Sequence, residues 1–321
     1  MFKRISNFFV KQPQVEEPAL PAFPEKKFGD DRVAVILDCS GMGDCLFAIP
    51  VLRKMASRFR ESTFDLFTYH PELFRRCPYV QQVYPIGDPA LDDYLLSVKL
   101  FDLSKLAHNE VDTMDFITIP AGLGQLSFRE KQLEYFPQEE DLAESYDVVL
   151  NTSVTWPTRT WKLENWQRLA EALLAKGLTV AVVGKDVHAA CDDMLKVSLP
   201  LDGCVNLVNR LSLDQTYFVI RKCGLFVSCQ NGLSVLAGAT ETEIIVLDMS
   251  IEWSKRAIYR HENPFHKISY VNGTCDIYCG EGRNMCQRPE FATDGEFRCI
   301  PSYETVEAAV MAKLSTRKIE N

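Results

Sequence analysis

Arg32-Val33-Ala34-Val35-Ile36-Leu37 is followed closely by Ser40-Gly41-Met42-Gly43-Asp44. The apolar, β-branched run predicts a buried strand that stops at a glycine loop. Leu46, Ile49, Leu52, Met55 and Phe59 then recur at helical spacing. Strand, tight loop and helix in that order open a parallel sheet covered by helices.

Working outward, residues 62–68 and 80–84 read as further strands, and Pro71-Glu72-Leu73-Phe74 between them opens a second helix. Residues 88–144 have no regular period, only charged and aromatic passages and the loop Pro120-Ala121-Gly122-Leu123-Gly124. The pattern restarts with a strand at 146–151, a helix over 163–176 closed by Gly177, and a strand at 179–183. Ser212-Leu213-Asp214-Gln215 has capping-box spacing and opens a helix to Lys222. A strand at 225–228, the loop Cys229-Gln230-Asn231-Gly232, a helix at 233–239 and a strand at 243–247 follow. Pro301-Ser302 then opens a last helix through Val306, Val310 and Leu314. The fold class is α/β, with two doubly wound sheets.

A chain of 321 residues is long for one core and suits two domains with a cleft between them. The expected division is a basic, apolar N-terminal segment and proline-rich linker over 1–28, a first domain over 29–144 and a second over 145–300. The last helix, 301–321, is expected to lie back toward the first domain. No apolar run approaches the length needed to cross a bilayer. Residues 1–11 form at most a peripheral contact with an anionic membrane surface. A formal net charge of -9 opposes a nucleic-acid partner. Eleven scattered cysteines and the lack of an export signal point to the cytoplasm.

Ligands of open α/β sheets bind where strand ends run into helix N-termini. Three loops qualify: 40–44, 151–161 and 229–234. The first is not a dinucleotide fingerprint, because Leu46 stands where the third glycine belongs. Taken alone, Asp44 reads rather as a helix-start carboxylate that complements the helix dipole than as a catalytic group.

Gly41-Met42-Gly43-Asp44-Cys45-Leu46-Phe47-Ala48-Ile49-Pro50-Val51-Leu52 resembles the N-terminal signature of glycosyltransferase family 9, the bacterial heptosyltransferases. Cys77-Pro78-Tyr79-Val80, Trp156-Pro157-Thr158-Arg159-Thr160-Trp161 with Glu164-Asn165-Trp166, and Gly232-Leu233-Ser234 resemble later family motifs in the same order. The resemblance runs over residues 32–310. It implies a GT-B fold, two Rossmann-like domains facing a central cleft, the first binding acceptor and the second nucleotide sugar. It also implies an inverting, metal-independent transfer of heptose or a related sugar from a nucleotide-diphosphate donor, ADP-sugar first, to a hydroxyl of lipopolysaccharide core or another saccharide.

By the same resemblance Asp44 is the general base on an acceptor-side loop with Ser40, Gly41 and Gly43. Thr155, Arg159, Gln230, Asn231, Gly232, Leu233 and Ser234 bind the donor phosphates. Arg159 stands where the best-known members carry lysine, and either cation suits a diphosphate. Gln230 and Val235 stand where heptosyltransferases tend to carry aspartate and histidine, and Leu247-Asp248-Met249-Ser250 departs from the run common near the nucleoside. A protein side chain or modified nucleobase as acceptor, and a nucleotide-binding scaffold without catalysis, are the alternatives.

Cys275, Cys279, Cys286 and Cys299 are spaced for a structural zinc or iron site only at their first pair, so reduced cysteines packed among aromatics compete with that reading. His70, His108, His188, His261 and His266 show no paired ligand spacing, and no catalytic metal is expected.

Overall fold

β1 (Arg32–Leu37) leads through the glycine loop into α1 (Met42–Arg58). The computed structural model describes residues 31–101, 112–139, 141, 143–154, 157–188, 195–275, 292–293 and 296–320. β2 (Thr63–Thr68), β3 (Gln82–Pro85) and β4 (Leu96–Leu100) complete a parallel sheet in the order β3-β2-β1-β4. The segment at Pro71 makes a single 3-10 turn, Pro71–Leu73, where a helix was expected. Pro78 disfavours helical backbone at Cys77, so there is no room for more turns before β3.

α1 is buried around most of its circumference, at Cys45, Leu46, Phe47, Ala48, Ile49, Val51, Leu52 and Met55 among others. A helix apolar all round has structure on more than one side. Here the first sheet covers one side and the second half of the chain another. α2 (Thr113–Thr118) follows, capped by Asp112, whose Oδ1 accepts from Asp115 N at 3.0 Å. Buried Lys131 pairs with both Asp112 and Asp115, which fixes this helix in place.

The second half repeats the plan. β5 (Val148–Asn151), α3 (Leu163–Leu174) and β6 (Val180–Val183) are followed by the antiparallel pair β7 (Val187–His188) and β8 (Leu195–Lys196). Then come β9 (Val205–Asn206), α4 (Leu213–Lys222), β10 (Leu225–Cys229), α5 (Gly232–Gly238) and β11 (Glu243–Asp248). β12 (Ile268–Asn272) is followed by the antiparallel pair β13 (Ala292–Thr293) and β14 (Glu296–Phe297), and by α6 (Tyr303–Glu320). The second parallel sheet has the order β12-β11-β10-β5-β6-β9.

The strands of this sheet sort their residues by face. Phe226, Ile244 and Val246 join the α1 side chains in one core that continues into the first sheet. Leu225, Val227, Ile245 and Leu247 face a second core with Trp161, Trp166, Tyr303, Val306 and Val310. α6 therefore packs on the second sheet, with Lys313 Nζ 2.5 Å from Glu243 Oε1, rather than back toward the first domain. Its buried residues Tyr303, Val306 and Val310 share that core with Ile245 and Leu247 of β11 and Val271 of β12.

The N-termini of α1 and α5 meet backbone to backbone. A Cβ on Gly232 would stand 2.4 Å from Met42 Cε and 3.2 Å from Gly43 N, and one on Gly43 would stand 3.4 Å from Gly232 Cα. Gly232 is the position where a side chain would crowd this approach, whereas a Cβ on Gly43 would meet ordinary van der Waals contacts. The approach brings the first and third loops together.

Candidate active site

Asp44 sits in the first turn of α1, yet its carboxylate does not cap the helix; the N-cap is Gly41, with no side-chain hydrogen bond. Gly41 makes room for it, since a Cβ there would stand 2.6 Å from Asp44 Oδ2. Asp44 Oδ1 lies 2.8 Å from Nη1 of Arg256, and both side chains are mostly buried. The contact meets the distance for an ion pair, although the oxygen has no well-aligned hydrogen bond.

Arg256 comes from the 3-10 turn Trp253–Arg256, just beyond the carboxyl end of β11. Asp248 Oδ2 accepts from Trp253 N at 3.2 Å, and Thr113 Oγ1 at the start of α2 donates to Lys255 O at 2.9 Å. The turn is thus held from both halves of the chain. Sequence reasoning missed Arg256. A cation in the loop after a parallel strand was the available signal, and the loop was read only as far as Ser250.

Arg159 lies in the turn Pro157–Arg159, is almost fully buried, and donates through Nη2 to the Gln230 backbone carbonyl. Burial pushes its guanidinium down to about 10, Arg256 pushes the same way, and Asp44 opposes. It remains a cation at neutral pH. Gln230 donates through Nε2 to Asp248 Oδ1 at 3.2 Å. Burial pushes Asp248 up to about 8, so this carboxyl is largely neutral at pH 7. Two guanidiniums, those of Arg159 and Arg256, thus stand near the Asp44 side chain, with Glu252 beside Asp248. Thr158 Oγ1, Gln230 Oε1 and Ser250 Oγ, on the same loops, are buried with no hydrogen-bond partner among the described residues. Orphans of this kind are uncommon away from sites that take a ligand.

The third loop is organised at its helix start. The Asn231 side chain caps α5, its Oδ1 accepting from Leu233 N at 2.9 Å and Ser234 N at 3.3 Å. Ser234 Oγ accepts from Asn231 N at 3.1 Å. The Asn231 and Leu233 amides, two of those expected to cradle a diphosphate, thus have partners within the helix start. Asn231 Nδ2 also donates to Asn151 Oδ1 at 2.7 Å, which ties the loop to the end of β5. Gly232 serves the contact with Gly43. Thr155 lies outside the described residues.

The acceptor-side loop has its own support. His70 stands against the Ser40 carbonyl through Nε2 at 2.8 Å and Glu72 Oε1 through Nδ1 at 3.1 Å. Burial works against its charge, but the Glu72 and Ser40 contacts outweigh it and raise His70 to about 9. As an imidazolium it donates from both nitrogens, anchoring the loop that carries Asp44.

A cavity of about 300 Å³ lies elsewhere, lined by Gln132, Tyr217, Arg221, Glu241 and Arg260 among others. It opens at the far end of α5, about 10 Å along that helix from Gly232. Of the cysteine cluster, Cys279 and Cys286 lie outside the described residues. Cys275 N donates to Arg298 O at 3.2 Å, beside Cys299, and Cys299 Sγ lies 3.9 Å from the Thr158 carbonyl. The histidines depart from expectation, because His261 and His266 come together around Glu241. Their spacing along the chain gave no hint of the third member, which arrives from another loop.

Comparison with known proteins accords with this architecture. The profile of glycosyltransferase family 9 (heptosyltransferase) matches residues 105–247. Lipooligosaccharide heptosyltransferase 2 of Haemophilus influenzae is 28% identical over 94 residues, which is 28% of this chain and 27% of that protein. The matched stretch thus spans about a quarter of that relative's length. The iron-containing dodecameric glycosyltransferase TibC of enterotoxigenic E. coli superposes with a TM-score of 0.70 at 15% identity, over 91% of this chain and 78% of TibC. A further TibC structure contains ADP-D-β-D-heptose. The ADP-heptose lps heptosyltransferase II of E. coli superposes with a TM-score of 0.57 at 16% identity, over 89% and 99% of the two chains. The fold is the GT-B fold of these proteins.

Proposed function

We propose that this chain, a relative of the family 9 glycosyltransferases, transfers a sugar from a nucleotide-diphosphate donor to an acceptor hydroxyl at the junction of Asp44, Arg159 and Arg256. The observation that carries the reading is the pair of buried guanidiniums on donor-side loops facing a carboxylate on an acceptor-side loop. Asp44 takes the hydroxyl proton as the acceptor oxygen attacks the anomeric carbon. The bond to the diphosphate breaks on the opposite side, with inversion, and its electron pair stays on the departing phosphate. Arg159 and Arg256 meet the growing negative charge, the task a divalent cation performs in other transferases, so the step is metal-independent in this reading. Thr158, Gln230 and Ser250 carry the buried oxygens that complete the donor's hydrogen bonds.

The first domain, 29–144, holds the acceptor and the second, 145–300, the donor. The ADP-D-β-D-heptose in TibC supports an ADP-sugar as donor, and the lipooligosaccharide relative supports a saccharide or glycolipid acceptor. The proposed setting is the reducing cytoplasm, with residues 1–11 as a peripheral membrane contact.

A thermal-shift panel of ADP, GDP, UDP and CDP with the full chain tests the reading. Ligand that binds only the folded state raises the melting temperature by an amount that grows with the logarithm of its concentration over Kd. Preferential stabilisation by ADP, lost in Arg159→Ala, is expected; a chain that no nucleoside diphosphate stabilises would overturn it.

A further inference from the structure

Three ligating side chains converge on one patch outside the Asp44 site. Glu241, in the turn between α5 and β11, has Oε1 2.9 Å from His261 Nε2 and Oε2 3.5 Å from His266 Nε2. The two imidazoles stand edge to face with centroids 4.7 Å apart. One ligand atom from each residue lies within 4.8 Å of the other two. All three are open enough to solvent for an ion to reach them.

The loop that presents them is anchored. Arg260, almost fully buried, donates from Nε to Gly238 O at 3.1 Å and from Nη1 to Thr242 O at 2.7 Å. Asn263 N returns to Arg260 O at 2.8 Å, and His266 N donates to Asn263 O at 3.3 Å. The loop is therefore tied to the turn bearing Glu241 immediately before the first histidine, and closed on its own backbone before the second. Pre-placed ligands spare an ion the ordering cost of gathering them.

We propose that Glu241, His261 and His266 bind a divalent first-row transition ion of the zinc class, through two imidazole nitrogens and one carboxylate oxygen. The remaining coordination positions go to water. Two nitrogen ligands disfavour magnesium and calcium, which take oxygen sets, and suit zinc, cobalt or nickel. Lys267 Nζ, 3.9 Å from Glu241 Oε2, is the charge such an ion displaces. Bound metal would cross-link the α5–β11 turn to the loop before β12. Glu241 also lines the cavity of about 300 Å³, so the ion sits at that cavity's rim.

The competing account is a solvent-exposed cluster of His and Glu ion pairs, and the cysteines add a second set of ligands that a test must separate. Full-length protein stripped with chelator is titrated with Co²⁺ by absorption spectroscopy and with Zn²⁺ by calorimetry. The expected result is one ion bound with ligand-field bands but no sulfur-to-cobalt charge transfer, unchanged in Cys275→Ser/Cys299→Ser. His261→Ala/His266→Ala should weaken that event by at least about tenfold, the loss that follows removal of even an outer partner of a metal ligand. Glu241→Gln, which preserves shape, should weaken it similarly and serves if the double variant fails to fold. Equal affinity in wild type and these variants, or binding with thiolate bands alone, overturns the proposal. The readout is binding, so it stands or falls apart from any transferase activity.

Discussion

Arg256 Nη1 lies 2.8 Å from Asp44 Oδ1, joining the loop after β11 to the first turn of α1 across the contact between the two sheets. The carboxylate proposed to accept a proton and a cation proposed to hold the leaving group are thus each other's counter-ion in the ligand-free chain. A donor diphosphate entering beside Arg159 competes with Asp44 for Arg256. Arg256→Ala is expected to lower kcat by about 10²–10³, the usual effect of losing one donor to developing negative charge, and to raise KM for the donor. Arg256→Lys should recover part of the loss, since it keeps the charge but not the planar fork. Steady-state kinetics with ADP-heptose would read both changes.

Asp44→Asn keeps the shape of the side chain and removes its basicity. Loss of a general base costs about 10²–10⁴ in rate. Affinity for ADP should stay nearly unchanged by calorimetry. Turnover at the wild-type rate would remove Asp44 from the mechanism.

Asp248 provides a pH dependence. Burial raises its carboxyl to about 8, with Glu252 pushing the same way and Arg159 and the Trp253 amide opposing. Below that value it is neutral, and above it a negative charge appears near Arg159. ADP affinity should therefore fall as pH rises through about 8, and Asp248→Asn should flatten the fall. Because the folded value lies above the ordinary 3.8, the folded chain holds a proton that the unfolded chain has lost between those limits. Stability from this group falls as pH rises across that window, so Asp248→Asn should be more stable than wild type at pH 7 in urea.

Gly232→Ala tests the contact between the two helix N-termini. Its Cβ meets the flexible end of Met42 at 2.4 Å, which can turn aside, and the Gly43 amide nitrogen at 3.2 Å, which cannot. Overpacking of this kind typically costs about 1–3 kcal/mol. Urea denaturation should show that loss, and widening the helix contact should lower turnover as well.

Most of the two parallel sheets was legible in the sequence, because strands buried on both faces read as short apolar runs and their helices carry caps such as Ser212 and Gln215. β4, β9 and β12 were not, since edge strands such as Leu96-Ser97-Val98-Lys99-Leu100 mix polar and apolar residues over too few positions. Asp44 and Arg159 were found through the family's motifs. Arg256 and the Glu241, His261, His266 group were not, because their meaning comes from what faces them across the fold, and chain spacing does not record that. The cap that the Asn231 side chain makes to the Leu233 and Ser234 amides is likewise a contact that the motif alone does not record.

His70, like Asp248, is raised on folding, so its contribution to stability also falls as pH rises. Its contacts with Glu72 and the Ser40 carbonyl raise it from the ordinary 6.5 to about 9, despite burial. A base raised on folding stabilises the chain fully below its unfolded value, and that contribution is lost as pH rises through the folded value. Wild-type stability should therefore decline between about 6.5 and 9, and His70→Ala should remove this part of the slope. At pH 6 the substitution should cost about 2 kcal/mol, the scale of a hydrogen bond involving a charged group. The loss should also reach the site, because the Ser40 carbonyl anchors the loop that aims Asp44 at Arg256. Turnover in His70→Ala is expected to fall more than ADP affinity does. A variant with wild-type turnover and only lower stability would show that the imidazolium supports the fold without positioning Asp44.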